Sequence, residues 1–326
     1  MALDPASRLE KLIAKQSPLF AAGFRLLVKQ MKSDMDLDAI ADLLARGRLE
    51  DALTETLRRA PNMGNLYLNS FVAAAEDTAG FLNKSLQQIV VDFDTTNPFS
   101  MRVMREERLR MIREFTAQQR LATREAIIDG IERGLNPIQQ ARNFRDSIGL
   151  TVKQQRAVNN YRRMLSEGDR AVLDRALRDK RFDSTIRNAF DSGQPLTRTQ
   201  MNRMVDRYRE RFVKYRSEVI ARTESLRAVH AGKQSMYEQA IESGDLQQDN
   251  LTQEWNTARD EAVRGSHSAM HGQKIPFGQR FISGLGNMAL HPGAFNVAAE
   301  DIQCRCTLGT RITEVTVPSG LEITIL

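Results

Sequence analysis

Cysteine, histidine and tryptophan are scarce in this chain: two, four and one among 326 residues. Two cysteines in C-x-C spacing cannot build the disulfide framework on which small secreted domains depend. With only nine prolines and 19 glycines, long stretches contain nothing that would interrupt a helix. No apolar run approaches the roughly 18 residues of a bilayer span. The N-terminal MALDPASRLEKLIAKQ places acids and a proline where a signal peptide keeps an apolar core. These absences lead us to expect no membrane partner and a protein made and kept in a cytoplasm-like compartment. Internal repeats, low-complexity tracts, phosphate loops, nucleophile elbows and paired-carboxylate motifs are missing too.

What is present describes a folded protein. Hydrophobic residues make up 41% and charged residues 27%, and the length suits two domains at about 100–200 residues each. Net charge is +6, from 47 basic and 41 acidic side chains, an excess that permits a polyanionic neighbour without demanding one. The arginines cluster along helix-like stretches, Arg102, Arg105, Arg108, Arg110 and Arg113 in one and Arg203, Arg207, Arg209, Arg211 and Arg216 in another. Acids are interspersed and aromatic stacking platforms are not, which fits solvated helix faces better than a nucleic-acid groove. Arg203, Arg207 and Arg211 are the residues we would test for DNA contact.

Apolar residues recur at steps of three and four through the first 245 residues, as at Leu9, Leu12 and Ile13, so nearly all of that stretch reads as helix. Helix ends are marked by Gly134, then Asn136-Pro137 with Gln139, and by the capping-box pairs Thr151 with Gln154 and Thr197 with Gln200. From Thr197 to Ile241 there is no proline and one glycine, Gly232, which predicts one long helix or two nearly collinear ones. The expected fold is mainly α, an elongated helical body with a small C-terminal α+β module. Its expected segments are a helical region over 1–85, a helical body over 86–195, a connecting helix over 196–245, the α+β module over 246–312, and a tail over 313–326 that supplies a docking strand. In the module, TQEWNT, KIPFGQRF and IQCRCTLGTRI read as strands or hairpins, with SGLGN and HPG as turns.

All four histidines and both cysteines fall between His230 and Cys306. His267 and His271 share a face if helical, as in H-E-x-x-H metalloproteases, but Ser268 stands where that motif needs its glutamate. A structural zinc would use this pair, or one of them with His291, completed by Cys304 and Cys306. Against it, residues i and i+2 of a strand stand about 6.6 Å apart, whereas sulfurs sharing a zinc lie under about 4 Å from each other. The expectation is therefore cysteines packed as small apolar residues beside hydrogen-bonded histidines, with no cofactor; a C-x-C disulfide is the third alternative. In the long helix, Arg222 and Glu224 point to different sides, so each needs a partner elsewhere, for example Asp260 for Arg222 and Arg264 for Glu224. The structural reading is an arginine–carboxylate clamp; the catalytic alternative makes Glu224, Asp260 and His267 an acid–base set in a metal-dependent enzyme acting on nucleic acid.

The order of these residues resembles a family. ARTE at Ala221–Glu224, then Trp255, Asp260, Arg264, His267 and Gly272, then Pro292 in HPG and Cys304 and Cys306 in CRC, is similar to the C-terminal domain of phage head morphogenesis proteins, the minor head proteins like the F protein of phage Mu. FDTTNP, GLNPIQQARNFRDSIGLT and AVNNYRRML are similar to phrases upstream in that family, so the resemblance covers about residues 85–312. It implies a non-enzymatic virion component in few copies, at the capsid interior or portal vertex after assembly in the host cytoplasm. Its partners would be the portal protein and other head and neck proteins, with packaged double-stranded DNA as a further contact, in head morphogenesis, DNA packaging or ejection.

Overall fold

The computed structural model of the chain describes residues 2–86 and 89–313, so the expected docking strand lies, from residue 314 onward, outside the described residues. A strand β1 (Ala2–Asp4) precedes α1 (Ala6–Ser33), α2 (Leu37–Ala45), α3 (Leu49–Thr56), α4 (Pro61–Ser85), α5 (Pro98–Glu132), α6 (Pro137–Ser147), α7 (Val152–Glu167), α8 (Asp183–Ser192) and α9 (Arg198–Glu242). There follow β2 (Leu251–Asn256), α10 (Gly265–Ser268), β3 (Lys274–Pro276), β4 (Phe281–Ile282), β5 (Met288–Ala289), α11 (Ala298–Asp301) and β6 (Thr307–Ile312). The protein is mainly helical with a small sheet-bearing C-terminal part.

Local chemistry explains the helix ends. The side chain of Asn136 accepts from the Gln139 amide while Gln139 reaches back to the Asn136 amide, and Thr151 with Gln154 repeats the exchange. Thr197 and Gln200 do the same at the start of α9. Each pair satisfies donors that a helix end otherwise leaves bare. The expected long helix is a continuous 45 residues.

The chain divides into two compact units, one of residues 1–21, 64–109 and 218–326, the other of residues 22–63 and 110–217. The first contains a four-stranded sheet in the order β1-β6-β2-β3 and a two-stranded sheet of β4 and β5. KIPFGQRF is therefore not one hairpin: β3 pairs with β2, and β4 with β5. IQCRCTLGTRI becomes a strand only from Thr307. Along β2, Leu251, Gln253 and Trp255 alternate inward, and Trp255 sits opposite Leu308. β1 departs from the helical reading of the N-terminal stretch, pairing Ala2 to Asp4 with Ile312 to Thr310.

That pairing carries a charge inside. Asp4 is fully buried and lies 3.0 Å from the Lys233 ammonium of α9. Arg8 donates to both its oxygens at 2.8 Å, and the Tyr237 hydroxyl donates at 3.2 Å. Lys233 also donates to the carbonyl of Leu308 on β6, 3.2 Å away. Burial works to raise the Asp4 pKa, but Lys233 and Arg8 together outweigh it and hold the carboxyl below its usual 3.8. A lowered folded value means stability that is complete above the unfolded pKa and lost as pH falls through the folded one. In urea titrations, wild type should therefore exceed Asp4→Asn in stability at pH 6, and the gap should close as the pH falls below 4; a gap independent of pH would show that Asp4 does not fold as an anion.

Gly232 explains itself by packing. It lies inside α9, and a Cβ there would run into the carbonyl oxygen of Phe71 and press on Ala74, both on α4. Helix propensity alone favours Ala over Gly by about 1 kcal/mol, but overpacking a close approach costs about 1–3 kcal/mol. Gly232→Ala should thus lower the thermal midpoint; a rise would mean that α4 and α9 are looser than described.

The second unit is built around Leu150, Val158, Tyr161, Ile186, Val205 and Tyr208, with the Tyr161 and Tyr208 rings stacked at 4.2 Å. Its arginines are not all solvated, as the sequence suggested. Arg216 is buried between the rings of Phe24 and Phe115, donates to Gln118 at 2.6 Å, and is pushed down to about 10 by burial. Arg209 is buried against Asn143, Asp206 and Asp146.

Candidate functional site

Three residues that are distant in sequence meet inside the first unit. α10 carries His267, while Cys304 and Cys306 lie in the turn between α11 and β6; all three are 1% exposed. The His267 Nδ1 is 3.6 Å from Cys304 Sγ and 3.5 Å from Cys306 Sγ, and the three ligand atoms lie within 4.8 Å of one another. Two local features accompany this. Gln303 has φ 55°, the left-handed region, and the Cys306 amide approaches Cys304 Sγ at 3.5 Å. The C-x-C segment is thus folded on itself instead of extended. The two sulfurs share a charge: Cys306 donating to Cys304 pulls the Cys304 thiol down to about 5, and the same bond with burial pushes the Cys306 thiol up.

Around this trio is an aromatic shell. Trp255, fully buried, has the rings of Phe281, Phe295 and His267 at 5.1, 5.7 and 6.0 Å, and Phe295 stacks on His267 at 5.4 Å. The Nε2 of His267 has no hydrogen-bond partner among the described residues. This shell belongs to one core with Leu226 and Val229 of α9, Leu9 and Leu12 of α1, and Leu308 of β6.

The charged motif residues have the following surroundings. Asp260 pairs with Arg305, not Arg222. Arg222 is half-buried, and its pKa is lowered first by burial and then by Arg305. Arg264 donates to the carbonyls of Glu300 and Ile302, holding α11 and the turn after it. Glu224 is buried on α9. Gly272 takes φ 76° and donates its amide to Trp255 O at 2.8 Å. The Pro292 carbonyl accepts from His291 Nδ1 at 3.0 Å.

His271 and His291 do not join the trio. α10 ends at Ser268, so the shared helical face expected for His267 and His271 does not exist. The His271 Nδ1 meets the Thr257 amide at 3.1 Å and its Nε2 meets Arg259 at 2.9 Å. His291 stacks on His230 at 5.8 Å, and burial pushes both below the usual histidine value.

One anchor escaped the sequence reading. Arg227 of α9 is buried, donates to the Gly293 carbonyl and, at 3.0 Å, to Asp301, and lies 3.8 Å from Glu107. Asp301 also accepts from the Phe295 amide at 3.1 Å. Gly293 has φ 86°, and a Cβ there would press on Leu226 and Arg227, so the HPG turn lies directly on the helix. A short run of small residues around Arg227 was the available signal: a helix buried on every side carries its charges only where something answers them.

The residues singled out for DNA contact lie at four-residue steps along α9. Arg203 is exposed, Arg207 pairs with Glu210, and Arg211 donates to the Arg178 carbonyl and pairs with Asp179. A separate concavity of about 770 Å³ in the second unit is lined by Arg133, Arg142, Arg145, Arg162, Arg198 and Arg209 together with Asp146 and Asp206. Burial, then Arg133 and Arg209, push Arg162 down to about 10.

Comparison with known proteins falls on the part of the chain just described. Residues 180–309 match the model of the family described as Phage Mu protein F like protein, which bears out the resemblance to phage head morphogenesis proteins. The chain is 31% identical over 93 residues to the minor head protein GP7 of Bacillus phage SPP1, covering 28% of this chain and 29% of that protein. It is 35% identical over 88 residues to the NAD(+)–arginine ADP-ribosyltransferase EFV of Enterococcus faecalis, covering 27% of this chain and 17% of that one. The chain therefore spans well under a third of the length of either relative. No solved structure matches it.

Proposed function

We propose that this chain, whose residues 180–309 carry a domain of the Phage Mu protein F like family, is a non-enzymatic minor head protein that acts in head morphogenesis at the portal vertex. The observation that carries the reading is closure. The motif residues Trp255, His267, Cys304 and Cys306 are at most 1% exposed and are packed against aromatic rings, so no substrate reaches them. Catalytic groups need contact with a reacting molecule; groups sealed in a core fix its geometry. Glu224 and His267, both buried, serve on this view a clamp and not acid–base chemistry, and the exposed Asp260 is tied to Arg305.

The Bacillus phage relative is a minor head protein by name, which supports placement in the virion among other head proteins. The transferase activity of the Enterococcus relative belongs to a protein of which this chain matches 17%, and it is not carried over. Imaging intact particles without imposed symmetry tests the proposal. Density for a few copies against the portal ring is expected, and particles assembled normally without the protein would overturn it.

Contact with packaged DNA is a second reading, favoured by the arginine concavity. Six arginines and two aspartates are among its lining residues, a formal surplus of four positive charges. Such a surface takes phosphates without regard to sequence, with an affinity that falls steeply as salt rises. Arg142→Glu with Arg198→Glu should weaken duplex binding and flatten its log–log salt slope by about one unit per lost phosphate contact. An unchanged slope would remove this concavity from the account.

A further inference from the structure

The strongest objection to a metal ion at the C-x-C pair is geometric, and the fold removes it. On an extended strand the two sulfurs would stand about 6.6 Å apart; here the Cys306 amide lies 3.5 Å from Cys304 Sγ and the ligand atoms of His267, Cys304 and Cys306 all fall within 4.8 Å of one another. Both sulfurs then stand at nearly the same distance, 3.6 and 3.5 Å, from one histidine nitrogen. Zinc bonds of about 2.3 Å to sulfur and 2.0–2.1 Å to nitrogen, held at the tetrahedral angle, place nitrogen and sulfur about 3.5–3.6 Å apart. A hydrogen-bonded chain in which Cys306 donates to Cys304 needs only one sulfur at Nδ1, whereas a shared ion needs both there, as observed.

We propose that His267 Nδ1, Cys304 Sγ and Cys306 Sγ are three ligands of a structural zinc ion, with one enclosed water at the fourth corner. In the bound state both sulfurs are thiolates, and any thiol proton still held goes to solvent. The ion with two thiolates and a neutral imidazole then has no net charge, which suits a pocket walled by Trp255 and Phe295. The Cys306 amide, facing Cys304 Sγ, supplies the kind of donor that a metal-bound thiolate accepts. A zinc here joins α10 to the turn ahead of β6, across 37 residues of chain. It locks the module and performs no reaction, and it is independent of where the protein sits in a virion. His271, expected as a fourth ligand from its spacing, is outside the set because Thr257 and Arg259 hold it.

The test uses the full chain purified under reductant, loaded with zinc and freed of loose ion by gel filtration. About one zinc per chain is expected, retained by His271→Gln and lost from Cys304→Ser and Cys306→Ser. Because the serine variants could fail for want of folding, the wild type is also loaded with Co(II). Sulfur-to-cobalt charge-transfer bands of a two-thiolate tetrahedral site are the expected spectrum. Under about a tenth of an equivalent of zinc in folded wild type would overturn the proposal. So would a cobalt spectrum without thiolate bands, or an intact mass two hydrogens light, the mark of a Cys304–Cys306 disulfide.

Discussion

Arg227→Ala is expected to cost about 3–5 kcal/mol of unfolding free energy, the effect of removing one partner from a buried ion pair. Arg227 is 6% exposed and Asp301 4% exposed, so truncation strands a carboxylate in the core together with the carbonyl of Gly293. The cost comes from what is left unpaired more than from the bond itself. Arg227→Met keeps most of the side-chain volume and should lose nearly as much. Adding Asp301→Asn to it removes the stranded charge and should recover part of the loss. Arg203→Ala, on the exposed part of the same helix, should stay within about 0.5 kcal/mol of wild type. Urea unfolding followed by far-ultraviolet circular dichroism separates these four variants. A loss under about 1 kcal/mol for Arg227→Ala would mean that water reaches Asp301.

Trp255→Ala should cost a similar amount, about 3–5 kcal/mol, by a different route. The indole is fully buried and contacts Phe281, Phe295 and His267 at once. Its removal leaves a cavity bordered by an imidazole, so apolar contact is lost where a polar group has no replacement partner. Trp255→Phe keeps a ring in place and should cost less than half as much. Since Trp255 is the single tryptophan of the chain, the variants are followed by circular dichroism, and wild-type fluorescence reports this one site. If both substitutions were equally mild, the shell around His267 would not be close-packed.

Much of the helical half was legible because its signals are local. The capping pairs at Asn136, Thr151 and Thr197 involve residues three apart, and the unbroken α9 follows from the absence of proline. The order of Trp255, Asp260, Arg264, His267 and the two cysteines also pointed to the family whose model matches residues 180–309, since a motif is itself a sequence object. Partners were harder. Arg222 and Arg264 were matched to carboxylates by charge, but Asp260 lies with Arg305 and Arg264 ties two backbone carbonyls. Charge says that a partner is needed and not which one the fold delivers. The cysteine geometry was misjudged because IQCRCTLGTRI has strand-like composition throughout, while one left-handed residue, Gln303, breaks the pattern where no glycine announces it. The pairing of β1 with β6 joins the two ends of the described chain, and ALD by itself carries no sign of it.

Sealing of the His267, Cys304 and Cys306 cluster is the claim on which the functional reading rests, and thiol labelling measures it directly because the chain has no other cysteine. With a small aromatic disulfide reagent in increasing urea, both sulfurs should react only at the rate of global unfolding, in step with the loss of helical signal. Rapid reaction of either thiol in the absence of denaturant would place the cluster in an open cleft and contradict the account.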